Sequence, residues 1–307
     1  MGTTYSVVAV DHSNGIKERD LRSRIDTALA EVNQQMSNWD VQSDVSRFNA
    51  SRDLADIEVA SPLVSVVEAS KRVSEASNGN FDITVGPLVD LWGFGAAAPS
   101  QLRPTDESIA DVLATVGEQQ IDVTGAGTLR KRNPNTEIYL SAIGKGYGVD
   151  RVASELAALG VTDYMVEIGG DLVTAGRNPS GEPWQIAIES PVAFDRQVEQ
   201  VVGVSDLGLA TSGDYRNFFE RDGIRYSHII DPHTGYPVTH QTASATVLTE
   251  DAMMADAWAT AMLTLGSEAG REIADQQGLA VLFIDRIDGS DDEFRLVSNK
   301  RFGELKA

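Results

Sequence analysis

Residues 251–266, DAMMADAWATAMLTLG, place Asp256 and Thr260 inside an otherwise apolar run. Positions i and i+4 of a helix lie one above the other, so these two side chains present a carboxylate and a hydroxyl side by side. Such an oxygen platform can hold a hard cation. Alternatively, Thr260 bonds back to the Asp256 carbonyl while the acid points to water. The segment alone leaves both readings open. A second stretch, SAIGKGYGVD at 141–150, sets Lys145 between two glycines at the start of a helix. Free backbone N–H groups and the helix dipole favour an anion there, although the spacing is not that of a Walker loop and a solvated lysine on a glycine-rich turn reads equally well.

Three of the four histidines, His228, His233 and His240, fall within or just after ATSGDYRNFFERDGIRYSHIIDPHTGYPV. Their spacing suits no common zinc motif, and the turn-like DPHTGYP directs His233 outward. His228 differs, because it sits in the strand-like YSHII beside Ser227. A histidine there can act as a general base near neutral pH or sit as a satisfied core residue.

The elements that must position these groups can be read from periodicity and punctuation. TTYSVVAV alternates as a strand, and Leu21, Ile25, Leu29, Val32 and Met36 recur at helical spacing. A second helix is capped by Ser61, opened by Pro62 and stopped by Gly79. NGNFDITVGPLVDLWGFG, rich in glycine and aromatics, reads as a loop of the kind that carries sites. DESIADVLATVG and GKGYGVDRVASELAALG read as helices, QQIDV and TEIYLSA as strands. DYMVEIGGDLVTAG, WQIAIES, TASATVLT, LAVLFIDR and FRLVS continue as strands, with a shorter helix near SEAGREIADQQ. Hairpin-like strands with helices gathered between them predict an α+β fold and not a doubly wound parallel sheet. No linker or repeat divides the chain.

A chain of 307 residues, 42% hydrophobic, can bury a sizeable core. Its formal charge of −21 repels phosphate backbones and disfavours nucleic acid as a partner, and an anionic ligand would need a local cation. The absence of cysteine excludes thiolate ligands, thiol nucleophiles and disulfides. No apolar run reaches the roughly 18 residues of a membrane span.

Taken in order, MGTTYSV, MSNWDVQSDVSRFN, GNFDITVGPLVDLWGF, IGKGYGVD, EIGGDLVTAG, TSGDYRNFF, RYSHIIDPHTGYP and AMMADAWATAMLTLG resemble the ApbE family of FAD:protein FMN transferases, over residues 1 to about 285. The resemblance implies one domain spanning 1–307, with two intimately joined lobes whose boundary the sequence does not place and a flavin site in the cleft between them. It implies that Met1 and Trp39 contact FAD, that Asn80, Phe81 and Asp82 hold its nucleotide part, that Lys145 faces the pyrophosphate, and that Ile230 adds a contact. It further implies that Asp256 and Thr260 bind Mg²⁺ together with the carbonyls of Ala142 and Ala259. Two positions depart from the family pattern. Tyr139 stands where an aspartate or another polar residue is usual, and it can still hydrogen-bond or stack on a ring. Gly144 replaces an alanine and loosens the turn.

The reaction so implied is Mg²⁺-dependent transfer of the FMN moiety of FAD to a Thr or Ser hydroxyl of an acceptor protein, with AMP released. His228 would be the base, Asp231 its orienting partner, and Lys145 the group that offsets growing charge. A FAD pyrophosphatase giving FMN and AMP would use the same residues, and a non-catalytic FAD-binding protein would not need the base. Family members are exported and lipid-anchored, so the resemblance implies a periplasmic lipoprotein whose export signal is absent from this chain. The implied acceptor is a flavin subunit of a membrane electron-transfer complex carrying a D-[ST]-[GA]-A-[ST] pattern.

Overall fold

The computed structural model describes residues 2–12, 15–95, 103–192, 197–287 and 293–305, so Met1 lies outside the described residues. In chain order these form β1 (Tyr5–Val10), α1 (Glu18–Met36), α2 (Asp44–Ala50), β2 (Ile57–Glu58), α3 (Ser61–Ala76), α4 (Gly86–Leu91) and α5 (Asp106–Leu113). Next come β3 (Ile121–Gly125), β4 (Thr128–Lys131), α6 (Gly144–Ala158), β5 (Asp163–Ile168), β6 (Asp171–Ala175), β7 (Trp184–Glu189) and β8 (Val198–Val204). The remainder is β9 (Gly208–Gly213), β10 (Phe218–Arg221), β11 (Ile224–Ser227), β12 (Thr242–Thr249), α7 (Ala252–Gln277), β13 (Ala280–Arg286), β14 (Phe294–Ser298) and α8 (Lys300–Leu305).

The expected α+β class holds. A seven-stranded sheet runs in the order β1-β5-β6-β9-β12-β13-β14, and every neighbouring pair in it is antiparallel. Its central strands are apolar on both faces because both faces are covered. Ala245, Val247, Val281 and Phe283 pack with the alanine-rich α7 and with α3, while Leu248, Leu282 and Ile284 meet the β7–β8 hairpin and Phe302. The first of these clusters also takes in Phe48, Leu63 and Leu129 from the part of the chain that carries the small β2-β4-β3 sheet.

Three local expectations are corrected. TEIYLSA is extended but joins no sheet. Its backbone is satisfied by side-chain amides: Asn49 and Asn38 both donate to the Ile138 carbonyl, and their own oxygens accept from Ile138 N and Leu140 N. Two asparagines thus supply what a neighbouring strand would. Ser61 is the first residue of α3 and not its cap; Ala60 holds that position and donates its N–H to Asp44. The segment read as a loop contains α4, whose following Trp92 donates its indole N–H to Gly235 O at 2.8 Å.

The two helical stretches read near 251–277 are one element kinked at Gly266, whose φ is 76°. Backbone groups released by the kink find partners. His240 Nε2 contacts the Thr264 carbonyl at 3.2 Å, and Ser267 N donates to Thr242 Oγ1 at 2.9 Å. Helices α6 and α7 meet at Gly146, where a Cβ would stand 2.1 Å from the Ala252 carbonyl oxygen. Only a residue without a side chain permits that approach, and it brings the start of α6 against Asp256.

Candidate functional site

The cleft consists of two chambers of about 400 and 310 Å³ that share Val89, Ser141, Lys145 and His228 as walls. The larger is mostly apolar, formed by Val32, Met36, Trp39, Phe94, Tyr139 and Leu140 among others. The smaller sets polar groups, including Ser212, Asp256 and Thr260, among apolar walls such as Val85, Ile229 and Ile230, and takes in the Asn80–Asp82 loop.

The oxygen platform exists, and its acid does not point to water. Asp256 is 2% exposed. Its Oδ2 accepts from Gly146 N at 3.0 Å and its Oδ1 from Lys145 Nζ at 3.1 Å. Thr260 Oγ1 lies 3.1 Å from Ser212 Oγ. The anion at the start of α6 is therefore this carboxylate, held by the Gly146 N–H and by the lysine that the sequence offered to an anion. Lys145 also donates to Asp171 Oδ2 at 2.5 Å, a buried partner that the sequence reading missed. Burial alone disfavours the ammonium, but the charges of Asp256 and Asp171 outweigh it and hold Lys145 above its ordinary value. Burial, and then the charge of Asp256, push Asp171 up to about 8.

Among the described residues no group of three His, Cys, Asp or Glu side chains gathers to cage a metal. One carboxylate with the hydroxyls of Thr260 and Ser212, beside Ala142, is a sparse hard-oxygen set that could hold a cation completing its shell with phosphate and water. Ala259 is fully buried in the core and does not line the chamber.

His228 follows directly on β11 and lines both chambers. Its Nδ1 lies 3.0 Å from the Asn217 carbonyl oxygen, which also accepts the His228 backbone N–H at 3.1 Å. A carbonyl can only accept, so Nδ1 carries the proton and Nε2 is left as the basic atom. Burial lowers the pKa of the ring, and the neutral form prevails near pH 7. Phe94 packs edge-on against it. Asp231 does not orient His228. Its oxygens accept from His233 N at 2.8 Å and Thr234 Oγ1 at 3.0 Å, so it braces the following turn. His233 is exposed, as the turn suggested, although its Nε2 reaches the Asn78 carbonyl at 3.0 Å.

The remaining expected contacts divide. Trp39, 72% exposed, stands at the rim on a turn stitched by Ser37 Oγ to the N–H groups of Trp39 and Asp40. Phe81 is buried beneath the loop, and Asn80 donates to Ser77 O at 2.8 Å. The Asp82 carboxylate is used internally, accepting from Thr84 N at 2.7 Å and from Glu118 N at 3.1 Å. Tyr139 packs on Gly86, where a Cβ would lie 2.0 Å from its ring, and its hydroxyl donates to Asp90 Oδ2 at 2.7 Å. Burial and then Asp90 keep that hydroxyl protonated, above its ordinary range.

Asp171, Ser212 and Asn217 were not singled out from the sequence. Asp171 is hidden in EIGGDLV, which reads only as a hairpin, and Asn217 acts through its backbone.

Comparison with known proteins follows the same lines. The ApbE family profile matches residues 1–283. The FAD:protein FMN transferase of Vibrio cholerae is 41% identical over 98% of this chain and 90% of its own length, and that of Haemophilus influenzae is 41% identical over 94% and 85%. The solved flavin transferase ApbE from Vibrio cholerae superposes with a TM-score of 0.90 at 40% identity, covering 99% of this chain and 96% of the other. The apo flavinyl transferase ApbE of Pseudomonas stutzeri gives 0.89 at 36% identity, covering 98% and 93%. On the profile match, these identities and the shared fold, the chain belongs to the ApbE family.

Proposed function

We propose that the protein transfers the FMN moiety of FAD to a Thr or Ser hydroxyl of an acceptor protein and releases AMP, with Mg²⁺ required. The observation that carries this reading is that Lys145 and His228 wall both chambers, with the Asp256–Thr260 face next to them in the smaller one. The joined volume suits an extended ligand with an apolar ring at one end and a charged bridge at the junction.

The acceptor hydroxyl gives its proton to Nε2 of His228 as its oxygen bonds to the FMN-side phosphorus. The bond from that phosphorus to the bridging oxygen breaks, and AMP leaves with the oxygen. Lys145, held charged between two carboxylates, lies where it can offset charge growing on the phosphoryl oxygens. Asp256, Thr260 and the Ala142 carbonyl would hold Mg²⁺, whose contribution is to neutralise the pyrophosphate and polarise the phosphorus. The Trp39 rim and the Tyr139 ring offer flat apolar surface to a flavin or adenine ring. We place the acceptor in the periplasm, as a flavin subunit of a membrane electron-transfer complex, on the strength of the family resemblance alone.

The test is incubation with FAD, Mg²⁺ and a peptide carrying D-[ST]-[GA]-A-[ST], read by mass spectrometry. A peptide heavier by one FMN, formed in step with AMP, supports transfer. AMP and free FMN appearing at one rate with or without peptide, and no labelled peptide, would make the protein a FAD pyrophosphatase.

A further inference from the structure

We infer that Asp171 is a positioning residue that holds the Lys145 ammonium independently of Asp256, leaving Asp256 free to serve a cation. The inference rests on the proposed Mg²⁺-dependent reaction and concerns how one lysine and one metal share a site. Lys145 Nζ touches both carboxylates, at 2.5 Å for Asp171 and 3.1 Å for Asp256. The two acids are placed differently. Both are 2% exposed, but Asp256 lines the smaller chamber beside Thr260 and Asp171 does not.

The chain builds this placement deliberately. Gly169 and Gly170, with φ of 58° and 99°, turn β5 directly into β6, and Asp171 is the first residue after the turn. Burial at that position makes an unpartnered carboxylate costly, and Lys145 supplies the partner. With Asp171 present, Lys145 keeps one strong hydrogen bond if Asp256 turns to a cation. Without it, the ammonium depends on Asp256 alone and competes with any cation for Oδ1.

The experiment follows flavin fluorescence of bound FAD during Mg²⁺ titration in the native protein, Asp171→Asn, Lys145→Met and the double variant. For Asp171→Asn the Mg²⁺ concentration at half-effect should rise roughly tenfold, within the range for directly coupled neighbours. In EDTA its FAD affinity should stay within about threefold of native. In the Lys145→Met background, adding Asp171→Asn should shift the Mg²⁺ requirement by less than about twofold, because the residue through which Asp171 acts is gone. Asp171→Glu, which keeps the charge, should recover most of the native requirement.

Equal shifts in both backgrounds would show a bare charge effect, and no shift in either would show no role; each overturns the inference. Loss of cooperative melting in Asp171→Asn overturns it as well, since the residue would then be part of the folding core. A native protein whose FAD signal ignores Mg²⁺ has the same consequence. If the native protein responds to Mg²⁺ but labels no acceptor, the transferase reading falls while this one stands.

Discussion

Nδ1 of His228 faces the Asn217 carbonyl oxygen at 3.0 Å, and that one contact decides which ring nitrogen can act on a substrate. The donor must be Nδ1, so Nε2 is the free base, and β10 and β11 fix its direction as a paired hairpin. A tautomer set by a backbone carbonyl cannot be altered by a side-chain change at Asn217. On the proposed reaction, the hairpin that holds the carbonyl would be part of the catalytic apparatus.

His228→Ala should lower FMN transfer by roughly 10²–10⁴-fold, the usual contribution of a general base, with FAD binding retained. Because burial lowers the pKa of the ring, the neutral base persists to lower pH than an ordinary histidine would allow. The acid limb of the transfer rate should accordingly fall below the reference value of about 6.5. In-gel flavin fluorescence of the acceptor between pH 5 and 8 gives the profile. A limb centred above that reference value would remove His228 from the role.

Asp231→Asn tests the corrected assignment from the other side. Its carboxylate braces His233 N and Thr234 Oγ1, and an asparagine oxygen can keep one of those bonds. Transfer should fall by less than about tenfold, far short of a lost general base. A loss as deep as that of His228→Ala would restore Asp231 as the orienting residue.

Much of this site could be read from the chain, and what could not has a common cause. The helical spacing of Asp256 and Thr260 and the position of Lys145 before GYG are local properties, and all three line the same chamber. What escaped depends on partners remote in sequence. Alternation in TEIYLSA signals an extended backbone, but it carries no information on whether another strand or the amides of Asn38 and Asn49 will satisfy it. Asp171 looks like any strand residue after a Gly-Gly turn until Lys145 is brought to it. Asn217 contributes only a carbonyl, which no residue type reveals. The proximity of Asp231 to His228 in sequence was misleading because the DPHTGYP turn folds the carboxylate back on itself.

Glu118 offers a pH test independent of turnover. It is buried, its Oε1 accepts from Ile83 N at 3.4 Å, and its own N–H binds Asp82. Burial and then the Asp82 charge raise its pKa from 4.5 to about 8. The folded state thus keeps a proton that the unfolded chain releases. The stability this gives is complete below the unfolded value and is lost as pH rises through the folded one. Melting temperature should fall between pH 5.5 and 8.5, and Glu118→Gln should reduce that fall. An unchanged pH slope in the variant would show that Glu118 is ionised throughout.

The last prediction concerns Asp256, where stability and activity should part. Asp256 and Asp171 share one ammonium, and, after burial, the charge of Asp256 pushes Asp171 up to about 8. Asp256→Asn leaves a one-to-one pair of Lys145 and Asp171, and the amide oxygen can still accept from Gly146 N. Removing one of two mutually repelling acids eases the cost of keeping the other beside Lys145, so the variant should melt at or above the native temperature in metal-free buffer. The same change removes the one carboxylate in the oxygen set beside Thr260, and with it the anchor for a hard cation. FMN transfer should become undetectable, and EDTA should silence the native enzyme to the same level. Calorimetry of the free proteins and mass spectrometry of the acceptor read the two halves separately. A variant that melts well below native would make Asp256 a structural residue, and one that transfers FMN at the native rate would remove the cation from this face of α7.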